Sequence, residues 1–342
     1  MTAHLFSPYQ LKNLHLKNRI VMAPMCQYSV TAKDGQPNDW HFVHYISRAI
    51  GGTGLLIMEM TDVDPDGRIT DHDLGLWSDE QIPSFRKIID GVHAHGAAVG
   101  IQIAHAGRKA QDAEQPVAPS AIPFPGMKTP RALSTEEAET MVRQFGDAVR
   151  RAVGAGVDMI ELHGAHGYLI HQFHSPMTNQ RDDAYGQDLS RFGVEVIRAA
   201  KAAMPEDMPL FFRISAVEYS DGGYDIDHAI ELCRAYQAAG VDVFHISSGG
   251  DGQPGRRKPS MQPGYQVPFA RQIREALQAP VVAVGRLEEP ALAQSVIGNE
   301  DADLVAVARG MLKDPYWATH AAYSLGCEQK FVPKQYERAY KI

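Results

Sequence analysis

Eight short apolar runs, each followed by a longer amphipathic stretch, predict an α/β chain that closes as a (β/α)8 TIM barrel, one domain over residues 1–342 with long active-site loops. The runs occupy 19–24, 54–60, 97–104, 157–163, 209–215, 241–247, 280–285 and 303–308. They are nearly continuous in apolar residues, as strands buried on both faces of a parallel sheet require. No shift of composition divides the chain, which counts against two open sheets in separate domains.

Helical patterns alternate with the runs, at 39–51, 79–95, 135–155, 189–204, 225–239, 267–278, 288–298 and 315–326. Ser78 with Gln81, and Ser134 with Glu137, have the spacing of capping boxes, whose side chains satisfy free amides of the first helical turn. Gly96, Gly156 and Gly240 follow helices and precede strands, where a C-terminal stop belongs. The sixth unit is the least regular, because a long loop, 248–266, precedes its helix. Residues 105–133 carry five prolines between Pro116 and Pro130, and 171–190 is polar around 179–183. Long ordered loops in compact domains serve as lids or binding elements.

Composition narrows the function. Hydrophobic residues make up 44% and charged residues 22% of the chain, which is ordinary for a globular protein. No stretch reaches the roughly 20 apolar residues that span a bilayer, and the start lacks a signal peptide's apolar centre. Cys26, Cys233 and Cys327 are too scattered for a disulfide framework or a CxxC metal knuckle. The formal charge of −8 disfavours phosphate-backbone binding, so no nucleic-acid partner is expected. A soluble, cytoplasmic protein without a membrane partner is expected.

In such barrels the chemistry is built at the carboxyl ends of the strands. That rule nominates Ala23, Pro24, Met25, Cys26, Met60, Gln102, the segment from His163 through His166 to Tyr168, Arg213, Ser247, Gly285 with Arg286, and Ala308 with Arg309. The small-residue turns before Arg286 and Arg309, at the seventh and eighth strands, leave backbone amides beside guanidinium groups. This is the usual phosphate pocket of the barrel, and it points to a phosphorylated cofactor or substrate.

Histidines stand at 163, 166, 171 and 174. A zinc site would need three or four of them converging in fixed geometry. His163 and His166 fall instead among glycines, on a turn, where two neutral imidazoles can hold a substrate oxygen; His171 and His174 fit core roles. Arg213, inside an apolar strand, needs an anion or a strongly polarised acceptor, either a structural partner or a ligand. Gln102 suits the edge of a heteroaromatic ring or a backbone partner. Cys26 and Tyr28 can be packed residues, and Tyr168 a surface phenol.

The segments NRIVMAPMCQY (18–28), ITDHDLGLWSDEQI (69–82), QIAHAGRKA (102–110), ELHGAHGYLIHQFHSPMTNQRDDAYG (161–186), ADLVAVARGMLKDPYW (302–317) and QYERAY (335–340) together resemble the old yellow enzymes, in the thermophilic-like NADPH dehydrogenase branch. The resemblance implies a ping-pong FMN ene-reductase. NADPH reduces the flavin, and an activated alkene (an unsaturated aldehyde or ketone, a maleimide or a nitroalkene) then takes the hydride. It implies that His163 and His166 hold the carbonyl oxygen and Tyr168 supplies the proton. Arg213 would face flavin N1, and Gln102 its pyrimidine edge. Ala23 to Cys26 and Met60 would line the ring, with Cys26 tuning its potential and Tyr28 touching substrate. Ser247 would lie near the ribityl chain, with Gly285, Arg286, Ala308 and Arg309 at the phosphate. Arg338, with Tyr340, would reach a neighbouring subunit's site from the tail 328–342, making a homodimer or homotetramer. No metal is implied. Met60 replaces a small residue, Ala308 a glycine, and the loop 250–262 with Arg256, Arg257 and Lys258 is longer than usual. The other readings are a flavin-dependent desaturase of ketones or lactones using oxygen, a metal-dependent barrel lyase or hydrolase, and a non-catalytic flavin module.

Overall fold

The computed structural model describes residues 4–327 and 332–340. Eight parallel strands form the barrel: β1 (Ile20–Met22), β2 (Leu55–Asp62), β3 (Ala98–Ala104), β4 (Met159–Gly164), β5 (Leu210–Ser215), β6 (Val243–Ser247), β7 (Val281–Ala283) and β8 (Leu304–Val307). Each pairs with its sequence neighbours, and β8 and β2 both pair with β1, which closes the cylinder. A short strand, Leu74–Gly75, extends the sheet beside the end of β2. All eight strands expected from the sequence form, and the closed barrel is the fold.

Outside lie α1 (Asp39–Ile50), α2 (Ile82–His93), α3 (Thr135–Ala155), α4 (Arg191–Ala202), α5 (Ile226–Ala239), α6 (Val267–Leu277), α7 (Pro290–Gly298) and α8 (Trp317–Ser324). Both expected capping boxes form. Ser134 Oγ accepts from the Glu137 amide at 3.1 Å, while Glu137 accepts from the Ser134 amide at 2.8 Å. Gly156 ends α3 at φ +101°, a conformation that excludes most side chains. The stretch expected to be helical from residue 79 opens as a 3-10 turn at Asp79–Gln81 before α2 begins. Among the described residues no helix is long and apolar enough to cross a membrane.

The barrel interior is layered along its axis, because alternate residues of each strand point inward. At the base, Val21, Leu55, Ile57, Met159, Phe211, Val243, Val282 and Leu304 form an apolar plug. An antiparallel hairpin, Tyr9–Leu11 with Leu14–Leu16, covers it, and its Leu14 and Leu16 join the same cluster. Fully burying each such side chain stabilises the fold by roughly 1.5–3 kcal/mol. One layer higher, the interior turns polar at Gln102, Glu161, Arg213 and His245. The residues of the candidate site sit above them, at the strand ends.

In β2 the pairing with β3 slips between Met58 and Met60. This bulge inverts the phase of the alternation after Leu55 and Ile57, so Glu59 turns outward to meet Tyr45 of α1 and Met60 faces the mouth.

Candidate active site

β4 ends in the turn that carries the paired histidines. His166 has φ +59°, uncommon for a residue with a side chain, and Gly167 follows at φ +70°. The imidazole rings of His163 and His166 stand 5.2 Å apart, centroid to centroid, at 84°, and His163 lies 4.9 Å from the Tyr168 ring at 73°. The strand end therefore brings these three residues together at the mouth. His163 Nδ1 accepts from the Ala165 amide at 3.2 Å, which leaves its proton on Nε2. His166 Nε2 bonds Ser247 Oγ at 2.7 Å, and the His166 amide donates to Ser215 Oγ at 3.1 Å. Burial, and next the Arg213 guanidinium, push both imidazoles well below their ordinary pKa, so both are neutral. Burial, followed by Cys26 and Tyr28, pushes the Tyr168 phenol well up, so it keeps its proton.

Lys109 holds this turn from outside. Its Nζ donates to the carbonyls of His166 and Gly250 at 2.9 Å each, and lies 5.0 Å from the Tyr168 ring centroid. Burial, with Arg108 next, lowers its pKa to about 8.

Beneath the histidines the polar layer is a hydrogen-bonded set. Gln102 Nε2 donates to Glu161 Oε1 at 2.7 Å, and His245 Nδ1 bonds Glu161 Oε2 at 2.7 Å. Glu161 has no solvent exposure, and the cation acting on it is Arg213, opposite His163 and His245 in the sheet register. Arg213 Nε and His245 Nε2 are buried without a hydrogen-bond partner.

On the β1 side, Ala23 and Pro24 are buried while Met25 and Cys26 are partly exposed. Burial, then the carboxylates of Glu59, Asp73 and Asp62, push the Cys26 thiol far up, so it is a thiol and not a thiolate nucleophile. Glu59 fixes this segment: Gln27 donates its amide to Glu59 Oε2 at 2.6 Å, and the Tyr45 hydroxyl donates to Oε1 at 3.0 Å. Burial pushes Glu59 up to about 8. Met60 packs with Ile69, Ala104 and Ala106 in the cluster that Cys26 and Tyr168 adjoin. Tyr28, at φ +50°, is 49% exposed.

The two turns expected to hold a phosphate lie at adjacent strands. Gly285 has φ +124° with Gln266 against it, so only glycine fits. The Arg286 side chain is engaged with the Met261 carbonyl and, at 3.8 Å, with Glu288; a ligand there is left to the backbone of this turn. Ala308 precedes the short helix Arg309–Lys313, whose first amides lack intrahelical acceptors. Ser247, expected beside a ribityl chain, is engaged with His166. Arg338 sits in an exposed depression with Tyr316, His320, Gln335 and Tyr336. Most of the tail expected at 328–342 is described, but 328–331, 341–342 and the Tyr340 side chain lie outside the described residues.

The four histidines do not converge. His171 and His174 pack on each other at 5.0 Å, and His174 Nδ1 bonds the Tyr236 hydroxyl at 3.0 Å. Among the described residues one group has the spacing of metal ligands: His171, Glu218 and Asp251, within 4.8 Å of one another. His171 bonds Glu218 at 2.8 Å, and Arg108 donates to the Asp251 carbonyl, bringing a cation to the two carboxylates. This network braces the helix Leu169–His174 behind Tyr168.

Sequence reasoning missed Glu59, Lys109, Glu161, His245 and Gln266. Glu161 and His245 were within reach, since each lies two residues before a nominated strand-end residue and so shares its inward face.

The mouth thus combines features that suit a flavin mononucleotide. Small side chains (Ala23, Ala104, Ala308) leave room for a planar ring, the buried Arg213 Nε is a donor without a protein partner, and the small-residue turns at Gly285 and Ala308 end adjacent strands. A flavin-dependent oxidoreductase barrel is the class these features define. The chain belongs to the NADH:flavin oxidoreductase / NADH oxidase family, whose model matches residues 4–328. It is 47% identical over 341 residues to the NADPH dehydrogenase of Listeria innocua, covering 98% of this chain and 99% of that one. Among solved structures it is similar to morphinone reductase, with a TM-score of 0.82 and 28% identity, covering 96% of this chain and 91% of that one. It is also similar to 2-naphthoyl-CoA reductase, with a TM-score of 0.89 and 25% identity over 97% of this chain and 54% of that longer one. It is an NAD(P)H-dependent flavin oxidoreductase with FMN as cofactor and NADPH as reductant.

Proposed function

We propose that the protein is an ene-reductase that saturates the C=C bond of activated alkenes. The observation that carries this reading is the edge-on grouping of His163, His166 and Tyr168, two neutral imidazoles and a protonated phenol at one strand end. FMN, when bound, relays hydride from NADPH to the alkene.

The chain's own residues do the rest. His163 donates from Nε2 to the carbonyl or nitro oxygen. The bond between His166 Nε2 and the Ser247 hydroxyl holds the second imidazole in place beside the same oxygen. Hydrogen bonds to that oxygen strengthen as charge builds on it, which lowers the barrier to hydride attack at the β-carbon. Tyr168 delivers the proton to the α-carbon. Arg213 and Gln102 would hold the pyrimidine edge of the ring, the Gly285–Arg286 and Ala308–Arg309 turns its phosphate, and Ala23 to Cys26 with Met60 its flank. Cys26, as a neutral thiol, tunes the potential, and Tyr28 lies against substrate. Arg338 completes the site of a second copy in a homodimer or homotetramer.

Anaerobic titration with NADPH should bleach the yellow protein, and a panel of enones, maleimides and nitroalkenes should restore the colour. Replacing His163 and His166 together by alanine should abolish charge-transfer binding of phenols while FMN stays bound. Loss of the flavin in that variant would remove the assigned role. Formation of enone from cyclohexanone without NADPH would support the desaturase instead.

A further inference from the structure

The loop 248–266, between β6 and α6, is tied to the mouth at both ends. Near its start, a Cβ at Gly250 would come within 2.6 Å of His166 Cα, and Lys109 clamps the Gly250 and His166 carbonyls together. Near its end, the Gly264 amide donates to the Gly285 carbonyl at 2.9 Å, and Arg286 reaches the Met261 carbonyl. In the middle it leans on the loop after β5: the Gly255 amide donates to Tyr219 O at 2.9 Å, and the Arg256 amide to Asp221 Oδ1 at 3.0 Å. The letters Gly250, Gly252 and Gly255 match a GxGxxG spacing, but no helix opens there, since α6 starts at Val267, so a helix-based dinucleotide turn is absent at this point.

What the loop presents between its anchors is charge. Arg256, Arg257 and Lys258 are consecutive and exposed, and among the described residues none of the three side chains is paired with a carboxylate. Three adjacent cations repel one another, and they stand out in a chain of net charge −8. Their loop links the histidine turn to the Gly285 turn, so the charge is carried on an element of the mouth's rim.

We propose that the Arg256–Arg257–Lys258 turn binds the phosphomonoester on the ribose of an adenine nucleotide, the 2′-phosphate of NADPH, and thereby sets the preference for NADPH over NADH. A phosphomonoester carries close to two charges at neutral pH, and arginine grips its oxygens in pairs. The 3′-phosphate of coenzyme A offers the same chemistry from a different source. The proposal rests on NADPH being the reductant of this site.

The test uses the FMN-loaded enzyme and the triple variant Arg256→Gln, Arg257→Gln, Lys258→Gln. The Kd for NADPH in anaerobic flavin reduction should rise about ten- to a hundredfold, with the Kd for NADH unchanged. In calorimetric titrations the unaltered enzyme should bind 2′,5′-ADP more tightly than 3′,5′-ADP or 5′-ADP, and the variant should lose that preference. Equal losses for NADPH and NADH, or no loss, overturn the proposal, and tighter binding of 3′,5′-ADP reassigns the turn to a coenzyme A ester. Alkene reduction by dithionite-reduced variant should be intact. Failure of that reaction in the unaltered enzyme as well would count against the ene-reductase reading, and leaves the nucleotide titrations to decide on the turn.

Discussion

The His163 and Tyr168 rings meet edge-on at 4.9 Å and 73°, so the proposed acceptor grip and the proposed proton donor are packed against each other. Tyr168→Phe keeps that packing and removes the proton. Reduction of the flavin by NADPH should be unchanged, while reoxidation by an enone should slow by about 10²–10⁴-fold. Stopped-flow measurement of the two half-reactions separates them.

Ser247 bonds His166 Nε2 at 2.7 Å and so positions that ring. Ser247→Ala should weaken phenol binding by about 1 kcal/mol, roughly fivefold in Kd, with little change in flavin content. Absorbance titration in the charge-transfer band reads this directly, and an unaltered Kd would argue against a positioning role for Ser247.

Gly250 is at φ +89° with His166 behind it. Gly250→Ala should cost about 1–3 kcal/mol of stability through backbone strain, and should also displace His166. Urea unfolding and phenol titration should therefore both change, whereas a loop independent of the histidine turn would change the first alone.

Glu161 bonds Gln102 and His245 at 2.7 Å each, and its charge acts on the buried Arg213. Glu161→Ala leaves the guanidinium uncompensated and should destabilise the protein by about 3–5 kcal/mol, measured as a lowered urea midpoint.

Glu59 gives a pH prediction with a definite sign. Its folded pKa is raised to about 8, so between the unfolded carboxylate value of 4.5 and pH 8 the folded state holds a proton that the unfolded chain has released. Its contribution to stability is present below that window and is lost as pH rises through it, at up to about 1.4 kcal/mol per pH unit. Glu59→Gln removes this slope, so unfolding curves at pH 5 and pH 8 should show the variant gaining on the original enzyme at the higher pH. The neighbouring His41, 3.7 Å from Glu59 Oε1 and pushed by burial down to about 4, has the opposite slope, confined to the range below its ordinary value of 6.5, so the change toward pH 8 reports Glu59.

The barrel was legible because strands buried on both faces leave uninterrupted apolar runs, and those at 209–215 and 241–247 agree with β5 and β6 to within two residues. Arg213 and Gln102 were legible as polar residues in apolar strands. The hairpin at Tyr9–Leu16 was not, since strands of three residues give too short an alternation to rise above chance. The slip at Met58–Met60 left no trace either: Glu59 is the one charged residue of the run 54–60, and a single polar letter does not say which face it takes, so nothing indicated that Glu59 turns outward to hold Gln27. Ser247 shows the limit of position alone. Its strand end was correct, but its partner, His166, is 81 residues away in sequence.

The apolar stopper at the foot of the barrel has a consequence for how this scaffold can change. The plug and the core between barrel and helices lie apart from the polar rim, so rim segments that make no contact with the histidine turn can be exchanged or recharged without disturbing the foundation. Divergence toward new acceptors or new reductants can then proceed by loop replacement, and a directed-evolution library confined to the upper pole should retain a high fraction of foldable members.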